Sequence, residues 1–139
     1  MTSDGGPRST VPYDLTIEDR STYLYACVQA EVADLYISVN YVNEVISHLR
    51  QRGARRMLFV REIPMMASWT DYSITASAII NILPRGVRVA LVDRSPAHRM
   101  VVDIVNEQAI RKQRDIRAFE AVAEAETWLL ADSTHPVEP

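Results

Sequence analysis

Short apolar runs and helical stripes succeed one another along the chain, and their order predicts the fold. Tyr13 to Ile17 and Ser21 to Glu31 read as two strands, rich in aromatic and apolar residues and parted by the polar turn Glu18-Asp19-Arg20. Consecutive strands joined so closely pair as an antiparallel hairpin. Leu35, Val39, Val42, Ile46 and Leu49 then recur at steps of four, three, four and three, the spacing of one helical face. Asp34 is placed to cap that helix, Gly53 suits the left-handed position after it, and Arg50 and Arg52 favour its negative end.

Met57 to Val60 is a third strand, fully apolar and therefore expected to be central, and Arg61 to Ala67, broken by Pro64, reads as an irregular loop. Ser68 and Asp71 form the Ser-x-x-Asp arrangement of a helix start. In the helix that follows, Trp69, Tyr72, Ala76, Ile79 and Leu83 make a core stripe, while Ile74, Ala78 and Ile82 make a second apolar ridge. Two such faces mean either deep burial or one face offered to a partner, so the second ridge is the candidate interface.

Val87 to Val92 is the run around which the rest is arranged, a strand buried on both faces of a largely parallel sheet. Its one charged residue, Arg88, is expected near the strand's beginning, where the head reaches water. Ser95-Pro96 reads as a cap and first-turn proline for a third helix running to about Gln113, with Ala97, Val101, Ile104, Val105 and Gln108 inward. Asp115 to Phe119 is a short strand, and Ala121 to Ala131 a closing helix with Val122, Ala125, Trp128 and Leu129 inward. The expected architecture is α/β, in the order β-β-α-β-α-β-α-β-α: a mixed sheet of about five strands with an amino-terminal hairpin and about four helices. Residues 1–11 and 133–139 lack apolar periodicity and read as flexible tails flanking one domain over 12–132.

That order resembles the STAS domain superfamily, and in particular the bacterial STAS-like proteins akin to anti-sigma-factor antagonists. The residues carrying the resemblance are Arg88-Val89-Ala90-Leu91-Val92, Asp115-Ile116-Arg117-Ala118-Phe119 and the ending Glu124-Ala125-Glu126-Thr127-Trp128-Leu129. It implies a non-enzymatic regulatory module that acts on a protein partner or on itself, as a homodimer. Some members are compared with lipid-binding domains, which makes a small apolar or lipid-like ligand the alternative. The family's switch is a serine in an Asp-Ser-Ser-Gly motif at the start of the helix after the third strand. Here that place reads Ala67-Ser68-Trp69-Thr70-Asp71, without the aspartate or the glycine, and either Ser68 or Thr70 falls in register.

Composition narrows the chemistry. A chain of 139 residues, 47% apolar, supports one domain with a core, and a net charge of −3 disfavours nucleic acid as a partner. Basic residues are arginine apart from Lys112. The lone Cys27 excludes an internal disulfide and reads as a small buried hydrophobe. No apolar run is long enough to span a membrane and no signal-peptide pattern opens the chain, so cytoplasmic residence is the expectation. His48, His98 and His135 have no metal-ligand spacing, and the glycines form no phosphate loop, so neither metal nor cofactor is expected.

Two loops, Met65 to Thr70 and Asp93 to His98, should meet at the carboxyl edge of the parallel strands, each leading into a helix amino terminus. Ser68, Thr70, Ser95 and His98 are the candidates there for phosphorylation or anion binding, although capping by itself explains Ser68 and Ser95. A serine–histidine–aspartate set can be written from Ser95, His98 and Asp93, but no strained elbow surrounds the serine and no catalytic residue is assigned. Tyr23, Tyr25, Tyr36, Tyr41, Trp69 and Tyr72 read either as a ligand-pocket wall or as core and interface.

Overall fold

A computed structural model describes residues 12–32, 34–64 and 68–131. The expected tails at 1–11 and 133–139, His135, and Met65 to Ala67 of the loop after the third strand lie outside the described residues. The chain runs β1 (Tyr13–Asp19), β2 (Leu24–Ala30), α1 (Leu35–Arg52), β3 (Arg56–Glu62), α2 (Trp69–Ile82), β4 (Arg88–Asp93), α3 (His98–Arg111), β5 (Ile116–Phe119) and α4 (Val122–Leu130). β1 and β2 are antiparallel; β2, β3, β4 and β5 are parallel, and the sheet order is β1-β2-β3-β4-β5. The architecture is the expected one.

β3 is the middle strand, with two neighbours on either side, as its fully apolar run predicts, and the run Val87 to Val92, also read as central, stands beside it as β4. Both strands are apolar on both faces, and local pattern alone does not rank them. The pleat sends Met57 and Phe59 of β3, with Val89 and Leu91 of β4, toward α1, α2 and α3. Leu58, Val60, Ala90 and Val92 face the other way, onto Ala125 and Leu129 of α4. One face therefore carries three helices and the other carries one.

Several boundaries moved, each for a local reason. The hairpin turns at Arg20–Tyr23, two residues later than expected: Ser21 takes φ 61° and its N–H is held by the Asp19 carboxylate at 3.2 Å. α1 starts and stops where Asp34 and Gly53 predict, Asp34 accepting from the Ile37 N–H at 2.8 Å and Gly53 at φ 60°. Its buried face is turned toward Ser38, Tyr41 and Val45, leaving Leu35 exposed. On α2, Trp69 is exposed instead of core, and Tyr72, Thr75, Ala76 and Ile80 are buried. At the outer edge, the Asn106 amide donates to the Ala118 carbonyl at 3.1 Å and accepts from its N–H at 2.7 Å. That pair satisfies backbone groups on β5 that an edge strand otherwise leaves open.

Candidate functional site

The carboxyl ends of β3 and β4 are where the apolar rows run out. Arg61 and Asp93 stand opposite one another in the parallel register and extend the rows facing α1, α2 and α3. Their side chains are 6% and 0% exposed, and they are ion-paired. The Arg61 Nε also donates to the Tyr41 hydroxyl of α1 at 3.0 Å. Burial works against the guanidinium charge, but Tyr41 and Asp93 outweigh it, and the Arg61 pKa is raised above its ordinary value. The second Asp93 oxygen accepts from the Ser95 N–H at 2.8 Å, which bends the chain out of the strand. Arg61 thus joins β3, β4, α1 and the β4–α3 connection.

That bend explains the start of α3. Ser95 and Pro96 were expected to begin the helix, yet it begins at His98, and the preceding Ala97 makes no side-chain cap bond. Ser95 is buried, and its hydroxyl accepts from the Ala97 N–H at 3.2 Å within the turn. His98 pairs its Nδ1 with the Ser95 carbonyl at 3.2 Å and its Nε2 with Glu120 at 3.4 Å. Asp93 holds Arg61, and the His98 imidazole takes the Ser95 carbonyl, not its hydroxyl. The three do not assemble as a nucleophile with its base.

Across the sheet edge, Glu62 accepts from Gln29 at 2.6 Å and pairs with Arg94 at 2.9 Å. The Gln29 hydrogen bond lowers the Glu62 pKa, partial burial opposes this, and Arg94 adds to the lowering. Burial, followed by the Glu62 charge, pushes the Cys27 thiol up, so Cys27 is held as a half-buried neutral thiol.

Ser68 and Thr70 are both exposed at the start of α2. Ser68 is the helix cap, its Oγ accepting from the Asp71 N–H at 3.1 Å. Ser95 is on the neighbouring connection but buried, so among the candidate hydroxyls only Ser68 and Thr70 face solvent. On the expected second ridge, Ile74 and Ile82 are exposed and Ala78 is half-buried. α1 packs against α2, and the adjoining starts of the two helices carry exposed Val32, Leu35, Tyr36 (83%) and Trp69 (57%).

The aromatic group divides. Tyr41 and Tyr72 are core under α1 and α2, while Tyr23 and Tyr25 pack on the α4 face. They do not form one wall. A cavity does lie between α2, α3 and the sheet, walled by Phe59, Tyr72, Thr75, Ile80, Leu91 and Val101, but it offers only about 50 Å³ to a water-sized sphere. Among the described residues, no group of three or more His, Cys, Asp or Glu is placed to hold a metal, and no helix is long and apolar enough to cross a membrane.

Sequence reasoning missed the pairing of Arg61 with Asp93, placing both in loops and Asp93 in a set with Ser95 and His98. The available signal was an arginine and an aspartate, each ending an apolar run, which parallel pairing in register sets side by side. Compared with models of protein families and with curated proteins, the sequence matches none. Among solved structures, an anti-sigma factor antagonist from Mycobacterium paratuberculosis superposes with a TM-score of 0.54 at 14% identity, over 84% of this chain and 93% of that one. At that identity the likeness speaks for the fold, and it agrees with the strand order and the opening hairpin: this chain has the STAS-like fold.

Proposed function

We propose that the protein is a non-enzymatic, STAS-like regulatory module that docks a protein partner at the carboxyl edge of its sheet, around the start of α2. The observation that carries this reading is the pair of exposed aromatics, Tyr36 and Trp69, at the starts of two packed helices. Large aromatic side chains are the usual anchors of protein interfaces. Val32, Leu35 and Ile74 extend the apolar patch, and Ile74, Ala78 and Ile82 carry it down α2 as a face for self-association. Ser68 and Thr70 lie inside the patch. A phosphate on either would add roughly −1.5 to −2 charges there and change docking without touching the core.

The rival reading, a binder of a lipid-like ligand, is less well supported. Ligand pockets typically measure about 300–1,000 Å³; the apolar space between α2, α3 and the sheet is far smaller, and the hollow of about 580 Å³ beside Tyr13, Gln29, Glu31 and Ile37 is open and partly polar. Native mass spectrometry of protein purified from its own cells, compared with Trp69→Glu and Ile74→Glu, tests the proposal. The expected result is a hetero-complex or a dimer in the parent, lost in the variants while their melting temperatures stay unchanged. A monomeric parent that carries a retained small molecule would overturn it.

A further inference from the structure

The net charge of −3 conceals a separation. Because β2 to β5 are parallel, α1, α2 and α3 all return to one edge of the sheet, where β3, β4 and β5 begin. The connecting segments 50–56, 84–88 and 111–117 hold ten of the fifteen Lys and Arg and one of the eighteen acids, Asp115. The opposite edge gathers Glu31, Asp34, Glu62, Asp71 and Glu120 at the ends of β2, β3 and β5 and the starts of α1 and α2. The β1–β2 turn brings Glu18, Asp19 and Arg20 to the first edge, with Asp19 3.9 Å from Arg52. Arg94 and Arg99 stand at the second, so the surplus is basic at the first edge and acidic at the second.

Part of the basic end is structural. Arg114 donates to the carbonyls of Ile80 and Leu83 at the end of α2, Lys112 reaches Ser77 and Asn81, and Arg88 lies 3.8 Å over the Trp128 ring. Arg50, Arg55, Arg85 and Arg111 differ: all are exposed, with no hydrogen-bond or ion-pair partner among the described residues. Burial first, and then the nearby Arg85 charge, lowers the Arg114 pKa, so like charges crowd here. The three helix carboxyl ends offset about half a charge each, well short of the positive excess.

The exposed apolar residues at this edge settle which polyanion fits. Ile110, 78% exposed, stands in the last turn of α3, and Leu130 ends α4. They are aliphatic. Single-stranded nucleic acid sites rely on aromatic stacking platforms, and the exposed Tyr36 and Trp69 are at the far edge. Arginines interspersed with exposed aliphatic side chains are what an anionic bilayer surface takes up, through headgroup charge and shallow burial.

We propose that the amino-terminal edge of the parallel sheet docks on an anionic lipid surface. This surface lies opposite the protein-docking patch and does not depend on it. The test is co-sedimentation of the full chain with vesicles of phosphatidylcholine alone and of phosphatidylcholine mixed with phosphatidylglycerol. Binding is expected on the anionic vesicles only, and should vanish near 1 M salt, where the screening length falls to about 3 Å. Arg55→Gln, Arg85→Gln and Arg111→Gln should each weaken partition about five-fold, and together about a hundred-fold, as about 1 kcal/mol per surface charge requires. Ile110→Ser should lower it several-fold more, and Arg99→Gln, exposed at the opposite edge, should leave it unchanged. No partition at low salt overturns the proposal, as does an Arg99→Gln effect equal to that of Arg85→Gln. Retention on a DNA oligonucleotide without vesicle binding would replace lipid by nucleic acid and equally overturn it.

Discussion

The Arg61–Asp93 pair gives the strongest quantitative prediction. With both side chains nearly free of water, removing one charge leaves the other buried without compensation, which costs about 3–5 kcal/mol. Two unit charges about 4 Å apart at an effective dielectric of 20 interact by about 4 kcal/mol, the same scale. Asp93→Asn is the cleaner single change. It keeps the volume and leaves an oxygen to accept from the Ser95 N–H, so charge loss is isolated from any cavity or loop effect. Arg61→Met is the converse change, stranding the carboxylate and leaving the Tyr41 hydroxyl without its partner.

The double variant Arg61→Met, Asp93→Asn decides the matter. If the singles are costly because each abandons a buried charge, the double should recover at least about 2 kcal/mol relative to their sum, since a neutral replacement for a buried ion pair is often tolerated. Urea unfolding followed by Trp69 and Trp128 fluorescence and by far-ultraviolet dichroism gives all four corners of the cycle. For a chain of this size the single changes should lower the melting temperature by about 10–20 °C. If either single change costs under about 1 kcal/mol, or if the two add without coupling, water reaches the pair and it does not hold the carboxyl edge together.

Three further outcomes follow from the packing. Ser68→Ala should cost about 1 kcal/mol in chemical denaturation by removing the α2 cap, whereas Ser68→Asp, which can still accept from the Asp71 N–H, should cost little. Val89→Asp should leave no cooperative melt, because Val89 is 1% exposed and flanked by strands on both sides. Burial, then the hydrogen bond to Glu44, raises the Tyr13 hydroxyl to about 12 in the folded chain. The stability tied to it is therefore complete below the ordinary tyrosine pKa near 10 and lost as pH rises toward 12. Denaturation midpoints across that window should fall less steeply in Tyr13→Phe than in the parent.

Local pattern carried the element order because each element obeys its own period. The alternation in β1 and β2, the stripe of α1 between Asp34 and Gly53, and the Trp128-Leu129 ending could all be read without a structure. What local pattern lacks is rotation and adjacency. The α1 stripe was read through Leu35 and Val39, but Tyr41 turns inward to reach Arg61, a residue across a strand connection, and that rotates the buried face. β3 and β4 both looked central because each is apolar throughout, and only pairing in the sheet puts β3 in the middle. Trp69 was assigned to the core by its spacing, though it stands at the helix start, beyond the sheet it would have to cover. Whether the aromatic group made one wall or divided between core and interface stayed open, because sequence does not show that the pleat sends Tyr23 and Tyr25 to one face while Tyr41 packs on the other.

The separation of charge is a consequence of parallel topology that composition hides. In a parallel sheet, every helix-to-strand connection falls at one edge and every strand-to-helix connection at the other. Here Arg50, Arg52 and Arg111 close α1 and α3 at one edge, while Asp34 and Asp71 stand at the starts of α1 and α2 at the other. A strand of six or seven residues sets the edges about 20 Å apart at about 3.3 Å per residue, more than two screening lengths at physiological salt. The two surfaces are in that sense electrically independent, and each can hold its own partner. Engagement of the basic edge by an anionic bilayer would leave Tyr36, Trp69 and the Ser68 and Thr70 hydroxyls facing away from the lipid. A module held this way presents its docking patch to solution, and a phosphate added at Ser68 or Thr70 would alter that patch without weakening the hold on the surface.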